Sequence, residues 1–311
     1  MRIAFLGTPD FAVPSLQMLI DRGYDVVGVF AQPDRPKGRG GKLTPPPTKV
    51  LAGQHGIPVF QPEKIRRPDG QEMLKSLAPD LMITAAFGQI LSKENLAVPP
   101  LGCINVHGSL LPKYRGAAPI QWAVINGEKT TGVTTMLTDI GIDTGDMLLK
   151  KEIEILPDET AGELFDRIAI LGAQVLEETL QALEAGTLQP VPQNEAEATH
   201  CAMLQKEDGH IDFQKTAQEI HDRIRGVSPW PGAYGLLDGQ VLKLWKAKKA
   251  TNWETQGEPG EILSADGKNG LIVAAADGAV EILELQAAGA KRMDAKAYLR
   301  GKSLPVGGKF C

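Results

Sequence analysis

The chain has 311 residues, 42% of them hydrophobic and 23% charged, with a formal net charge of −5. That balance belongs to a folded globular chain and excludes a disordered one, and no run approaches the ~18 uninterrupted apolar residues of a membrane span. Three widely spaced cysteines, Cys103, Cys201 and Cys311, fit neither a disulfide framework nor a zinc site with close-set ligands, so a reduced, metal-free, cytoplasmic protein is expected.

In chain order, residues 2–6 read as a strand that ends at Gly7-Thr8-Pro9. The opening carries one Arg before this single short apolar run and no small-residue cleavage pattern, which is not a secretory signal. Residues 11–22 then place Phe11, Val13, Leu16, Leu19 and Ile20 at helical spacing. Residues 26–30, 81–85, 103–106 and 132–137 read as further strands. Strands separated by helical segments predict βαβ units, hence a Rossmann-like α/β domain: a mostly parallel sheet with helices on both faces. Residues 160–183 form the clearest helix, with capping-box spacing at Thr160 and Glu163 and a Gly186 stop. Residues 190–206 are polar, Pro-interrupted and aperiodic, and read as a linker between a first domain, 1–189, and a second, 207–311. After the linker come one short helical pattern (Ala217, Ile220, Ile224) and runs punctuated by Asp-Gly at 238–239, 266–267 and 277–278. These are hairpin signals, and they predict a smaller β-rich barrel.

Charge is unevenly spread. Residues 1–205 sum to −6 and residues 206–311 to +1. Within the acidic half, Arg35, Lys37, Arg39, Lys42 and Lys49 face only Asp34, in a Gly-rich stretch that stiffens into Pro45-Pro46-Pro47. Such a segment suits closing on phosphates, although it holds no GxxxxGK[ST] nucleotide loop. In the second domain Lys243, Lys246 and Lys248 alternate with Leu244, Trp245 and Ala247, which predicts a basic face over a packed one, with Lys206 at the linker's end. Positive clusters on an acidic protein suit a targeted polyanion. Pro229-Trp230-Pro231 reads as structural.

The chemistry-bearing segment runs from 102 to 145. Asn105 and His107 fall on one side of a strand end, where α/β sheets present ligands. A Gly- and Pro-bounded loop follows, and then a turn, residues 138–145, offering two carboxylates, Asp139 and Asp143. An amide and an imidazole can stabilise charge on a carbonyl oxygen while a carboxylate orients the imidazole or takes a proton through water, a workable set for acyl-type transfer. On spacing alone either carboxylate qualifies. The stretch Phe87-Gly88-Gln89-Ile90-Leu91 reads, from its residues alone, as a helix start after a strand.

The segment INVHGSLLPKYRGAAPIQWAVINGEKTTGVTTMLTDIGIDTGDML resembles the core signature of the folate-dependent formyltransferases. The resemblance implies an OB-like second domain and a catalytic set of Asn105, His107 and Asp143. It implies folate-pocket residues Ser109, Leu110, Leu111 and Pro112, beside a loop reaching Gly116, together with Phe87, Gly88, Gln89, Ile90 and Leu91 at the pteridine. It extends over FLGTPDFAVPSL, RPKGRGGKLTPPPTKV and KEDGHIDFQKTAQEIHDRIRGVSPWPGAY, which resemble the members of that family that formylate methionine carried on initiator tRNA. The implied co-substrate is 10-formyltetrahydrofolate, without a metal, and the implied partner is charged initiator tRNA, with Arg35, Lys37, Arg39, Lys42, Lys206, Lys243, Lys246 and Lys248 as its contacts on a monomeric protein. Rival expectations are formylation of a sugar nucleotide, a tRNA-binding module without catalysis, and a nucleotide-dependent oxidoreductase. The last is disfavoured because GTPDF, not GxGxxG, follows the first strand.

Overall fold

A computed structural model describes residues 1–37, 41–251, 253 and 257–311. Lys37 is described in its backbone alone, and Arg39 lies outside the described residues. The chain divides into two compact units. One comprises Met1–Gly116, Thr131–Ile153 and Phe165–His200, the other Ala117–Thr130, Glu154–Leu164 and Cys201–Cys311.

In the first unit, β1 (Arg2–Gly7), helix α1 (Val13–Asp21) and β2 (Asp25–Phe30) lead into a short hairpin, β3 (Arg35–Lys37) and β4 (Lys42–Thr44). Next come α2 (Pro47–Gln54), β5 (Val59–Phe60), α3 (Pro68–Ser76), β6 (Leu81–Ala85), α4 (Lys93–Leu96), β7 (Cys103–His107) and β8 (Arg115–Gly116). After α5 (Pro119–Ile125), which belongs to the second unit, β9 (Thr130–Leu137) and β10 (Met147–Glu154) complete a seven-stranded sheet of order β10-β9-β7-β6-β1-β2-β5. β1 pairs in parallel with β2 and β6, β2 with β5 and β6 with β7, whereas β7 and β9 run antiparallel. Every residue of β6 is buried, so both faces of the sheet are covered at that strand.

Helix α6 (Ala161–Glu184) begins as its sequence predicts. Thr160 Oγ1 accepts from the Glu163 N–H at 3.2 Å while the Glu163 carboxylate accepts from the Thr160 N–H at 2.9 Å. Midway along it, a Cβ on Gly172 would lie 3.0 Å from Val106 Cγ1, so a glycine lets the helix close on one face of β7. Asn105 and His107 alternate to the other face. Beyond α6, β11 (His200–Cys201) pairs with β8, so part of the predicted linker is a strand.

The second unit holds α7 (Ala217–Gly226) and an antiparallel sheet of β12 (Tyr234–Leu237), β13 (Gln240–Lys249), β14 (Ile262–Asp266), β15 (Gly270–Ala275) and β16 (Gly278–Ala287), ordered β12-β13-β16-β15-β14. β17 (Met293–Asp294) pairs with β16, and α8 (Ala295–Gly301) follows. The hairpin turns fall at the predicted Asp-Gly pairs, with Asp238 and Gly239 both at positive φ, 50° and 74°. Closure comes from the carboxyl terminus: Phe310 bridges Leu237 beside the β12 edge, while Lys309 bridges Glu261 beside the β14 edge. The tail thereby pairs both open edges.

A charged cluster is buried here too. Arg225 donates through Nε to Asp222 Oδ1 at 2.7 Å and through Nη1 to the Glu159 carbonyl at 3.0 Å. Asp222 and Arg225 are 3% and 6% exposed. Burial pushes the Asp222 carboxyl up, but hydrogen bonds from His221, Gln218 and Arg225 outweigh it and hold the group below the ordinary carboxylate range.

Candidate active site

The site is built at the carboxyl ends of β6 and β7, all of it within the first unit. Register places Asn105 beside Thr84 on β6 and His107 beside Thr134 on β9. The Asn105 amide is oriented from two sides. Asp143 Oδ1, an acceptor only, lies 3.5 Å from Nδ2, while the buried Thr84 hydroxyl donates to Oδ1 at 2.8 Å.

His107 is 6% exposed, and its Nε2 lies 3.0 Å from the Tyr114 carbonyl. A carbonyl only accepts, so Nε2 carries a hydrogen, and Nδ1 is where the ring gains or loses its other proton. Nδ1 stands 3.6 Å from Asp143 Oδ2, an ion-pair distance longer than a hydrogen bond. The same Oδ2 accepts from the Gly116 N–H at 2.9 Å.

The two candidate carboxylates thus separate. Asp139 turns back on its own loop, accepting from the Gly141 N–H at 3.0 Å and from Thr144 Oγ1 at 2.7 Å. Asp143 reaches the imidazole, from a backbone at φ 54° that few non-glycine residues adopt. The turn is tight at its exit: a Cβ on Gly145 would fall 1.8 Å from the Leu137 carbonyl oxygen, so glycine is required.

Residues 86–92 form an irregular loop before α4, not a helix start. Phe87 is 4% exposed and Leu91 packs on the same core, whereas Gly88 and Ile90 face outward. Gln89 pins the loop, accepting from the Ile65 N–H at 2.7 Å and donating to the Pro62 carbonyl at 3.0 Å. On the other loop Ser109 is fully buried, and its hydroxyl donates to the Lys113 carbonyl at 2.7 Å. Leu111 and Pro112 are also buried, leaving Leu110 half-exposed. Cys103, at the start of β7, is no nucleophile, since burial pushes its thiol up to about 11.

The basic residues fall in both units. Arg35 and Lys42 are exposed on the β3–β4 hairpin, whose base is anchored by Lys49 on Asp34 at 2.8 Å. Lys206, Lys243, Lys246 and Lys248 are exposed in the second unit, Lys248 pairing with Glu281 at 3.0 Å. Trp245 is not in the packed face as alternation predicts. Leu244 and Ala247, and Ile282 and Leu285 opposite them, are consecutive inward positions three residues apart, so Trp245 and Lys246 both turn outward. Lys243 and Arg292 lie over the Trp245 ring at 5.5 and 5.0 Å. A cavity of about 620 Å³ in the second unit, lined by Lys129, His210, Lys215 and Arg223 among others, contains none of the predicted site residues.

Sequence reasoning missed Thr84, Arg115, Gln193 and Glu195. Gln193 Nε2 donates to the carbonyls of Asp143 and Gly145, each at 2.8 Å. Arg115 signals itself only as a charged residue inside a Gly- and Pro-bounded loop, and Gln193 gives no local signal.

The fold and this site define a formyl transferase. Residues 1–180 match the family described as Formyl transferase and residues 203–303 its C-terminal domain, and the chain belongs to that family. Among its relatives, the methionyl-tRNA formyltransferase of Ruminiclostridium cellulolyticum is 54% identical over 311 residues, covering 100% of this chain and 99% of that protein. Two solved structures share the fold at lower identity. The N-formyltransferase from Helicobacter canadensis, in complex with folinic acid and dTDP-3-aminofucose, is 21% identical with a TM-score of 0.66, covering 89% of this chain and 97% of that one. HypX from Aquifex aeolicus, in complex with tetrahydrofolic acid, is 18% identical with a TM-score of 0.64; the match covers 96% of this chain but only 47% of HypX. No helix among the described residues is long and apolar enough to cross a membrane, and no group of three or more His, Cys, Asp or Glu placed to hold a metal ion occurs among them.

Proposed function

We propose that this enzyme transfers the formyl group of 10-formyltetrahydrofolate to the α-amine of methionine on charged initiator tRNA, acting as a monomer in the cytoplasm. The observation that carries the reading is that the Asp143 carboxylate meets both the Asn105 amide, at 3.5 Å, and the His107 imidazole, at 3.6 Å. The 54% identity to a methionyl-tRNA formyltransferase along the full chain supports the choice of acceptor.

In the proposed reaction the neutral amine attacks the formyl carbon, and the new N–C bond places negative charge on the formyl oxygen. Asn105 Nδ2 and a protonated His107 Nδ1 stabilise that oxygen, and Asp143 holds the imidazole and receives the amine proton through water. The bond from the formyl carbon to the folate nitrogen then breaks, and that nitrogen takes a proton. Holding the two reactants together supplies much of the acceleration. A pterin edge fits the outward backbone of Gly88 and Ile90, with Gln89 pinning the loop and Phe87, Leu91, Ser109, Leu111 and Pro112 shaping the wall behind it, leaving Leu110 as the loop's partly exposed side chain.

The hairpin residues Arg35, Lys37 and Lys42, together with Arg39 and the second-unit residues Lys206, Lys243, Lys246 and Lys248, are assigned to the tRNA backbone. Lys42→Ala is expected to weaken charged-tRNA binding and to lower the slope of log Kd against log salt by about 1, with the KM for the formyl donor unchanged. An equal loss of donor affinity would count against the assignment. The central test is side-by-side incubation with 10-formyltetrahydrofolate and either methionyl initiator tRNA or an amino-sugar nucleotide. Formylation of the sugar with none of the tRNA would refute the reading.

A further inference from the structure

The turn that carries Asp143 stands away from the sheet. Ile140 and Ile142 are 67% and 70% exposed, and Asp143 itself sits at φ 54°. The bonds made by Asp139 brace the turn internally without tying it to anything else. Yet the distances on which the proposed chemistry depends, 3.5 Å to Asn105 and 3.6 Å to His107, are already long, so a small drift of the turn would break both contacts.

Two prongs hold it, and both come from β8. The Gly116 N–H takes the carboxylate, donating to Oδ2 at 2.9 Å. The preceding residue, Arg115, is 1% exposed and donates from Nε to Gln193 Oε1 at 3.0 Å. Its other two nitrogens grip the Glu195 carboxylate at 3.0 and 2.7 Å, which fixes the guanidinium plane. Gln193 turns that fixed plane toward the main chain, its Nε2 donating to the carbonyls of Asp143 and Gly145 on either side of Thr144, both at 2.8 Å. One primary amide has two N–H groups diverging in a plane, so bonding two carbonyls with it sets the twist of the turn as well as its position.

We infer that Gln193, steadied by Arg115 and Glu195, is the positioning residue for Asp143, so that a stretch whose sequence reads as a linker is part of the active-site scaffold of the first unit. The inference rests on the function proposed above.

The test is Gln193→Glu, which keeps the length and the acceptor for Arg115 but replaces the double donor with an oxygen facing two carbonyls. Formylation of methionyl initiator tRNA is expected to lose about 10- to 100-fold in kcat, with both KM values within about twofold of wild type. In an Asp143→Asn background the same change is expected to cost nothing more, because the group it positions is already gone. Should Gln193→Glu fail to fold, Gln193→Met, equal in length and without a donor, carries the same three measurements. Wild-type kcat, a loss confined to KM, or an undiminished further loss in the Asp143→Asn background would overturn the inference. Wild-type enzyme and Asn105→Ala run alongside. If wild type fails to formylate the tRNA, or Asn105→Ala keeps full activity, the functional reading itself fails.

Discussion

His107→Ala lowers formyl-transfer turnover by about 10²–10³-fold while leaving the KM for either substrate close to wild type. The expectation follows from where the ring is held. The Tyr114 carbonyl occupies Nε2, so the Nδ1 edge is the one turned toward Asp143. Alanine removes a charge-bearing donor that matters chiefly once the formyl oxygen has become negative, so the loss appears in kcat. Asn105→Ala and Asp143→Asn are expected to fall in the same range, and His107→Ala with Asp143→Asn to be little worse than either alone, since the two act as a unit. Steady-state kinetics on charged tRNA check all of this. Near-normal turnover in His107→Ala would remove the imidazole from the mechanism.

The second large effect is on stability. Asp222→Ala leaves the Arg225 guanidinium, 6% exposed, without its carboxylate, and breaking a buried pair this way costs about 3–5 kcal/mol. All four tryptophans, Trp122, Trp230, Trp245 and Trp253, lie in the second unit, so their fluorescence during urea unfolding reports on that unit directly. The pH dependence has a definite sign. Asp222 is held below the ordinary carboxylate value in the folded state, so its contribution is fully present above the unfolded value, about pH 4, and is lost as pH falls through the lower folded value. The carboxylate's part of the difference between wild type and Asp222→Ala therefore shrinks as pH falls below about 4. Coincident urea midpoints at neutral pH would show that Arg225 is satisfied without Asp222.

Much of this site was legible in the residues. The two-residue period of a strand sets Asn105 and His107 on one face, and the strand-end rule for α/β sheets says where that face opens. What spacing could not settle was which carboxylate joins them. Asp139 and Asp143 sit on one glycine-flanked turn, and only its three-dimensional path sends one inward and folds the other onto Thr144. Gln193 was invisible for a different reason. Hydrogen bonding to a distant main chain leaves no periodicity, and a polar, Pro-interrupted stretch looks the same whether it links domains or clamps a loop. The barrel was legible from its Asp-Gly turns, but its closure was not, since the tail that pairs both edges reads as Gly, Lys and a lone Phe. Trp245 was misplaced because strict alternation assumes a regular strand.

That departure from alternation occurs on both partners at once, Leu244 to Ala247 on β13 and Ile282 to Leu285 on β16, with the pairing in step before and after. Neither strand can therefore gain or lose a residue there by itself without sliding the rest of its partner's inward row to the wrong side. Insertions and deletions at this spot should come in matched pairs, one in each strand, and a homologue that has shortened only one would need a different barrel wall.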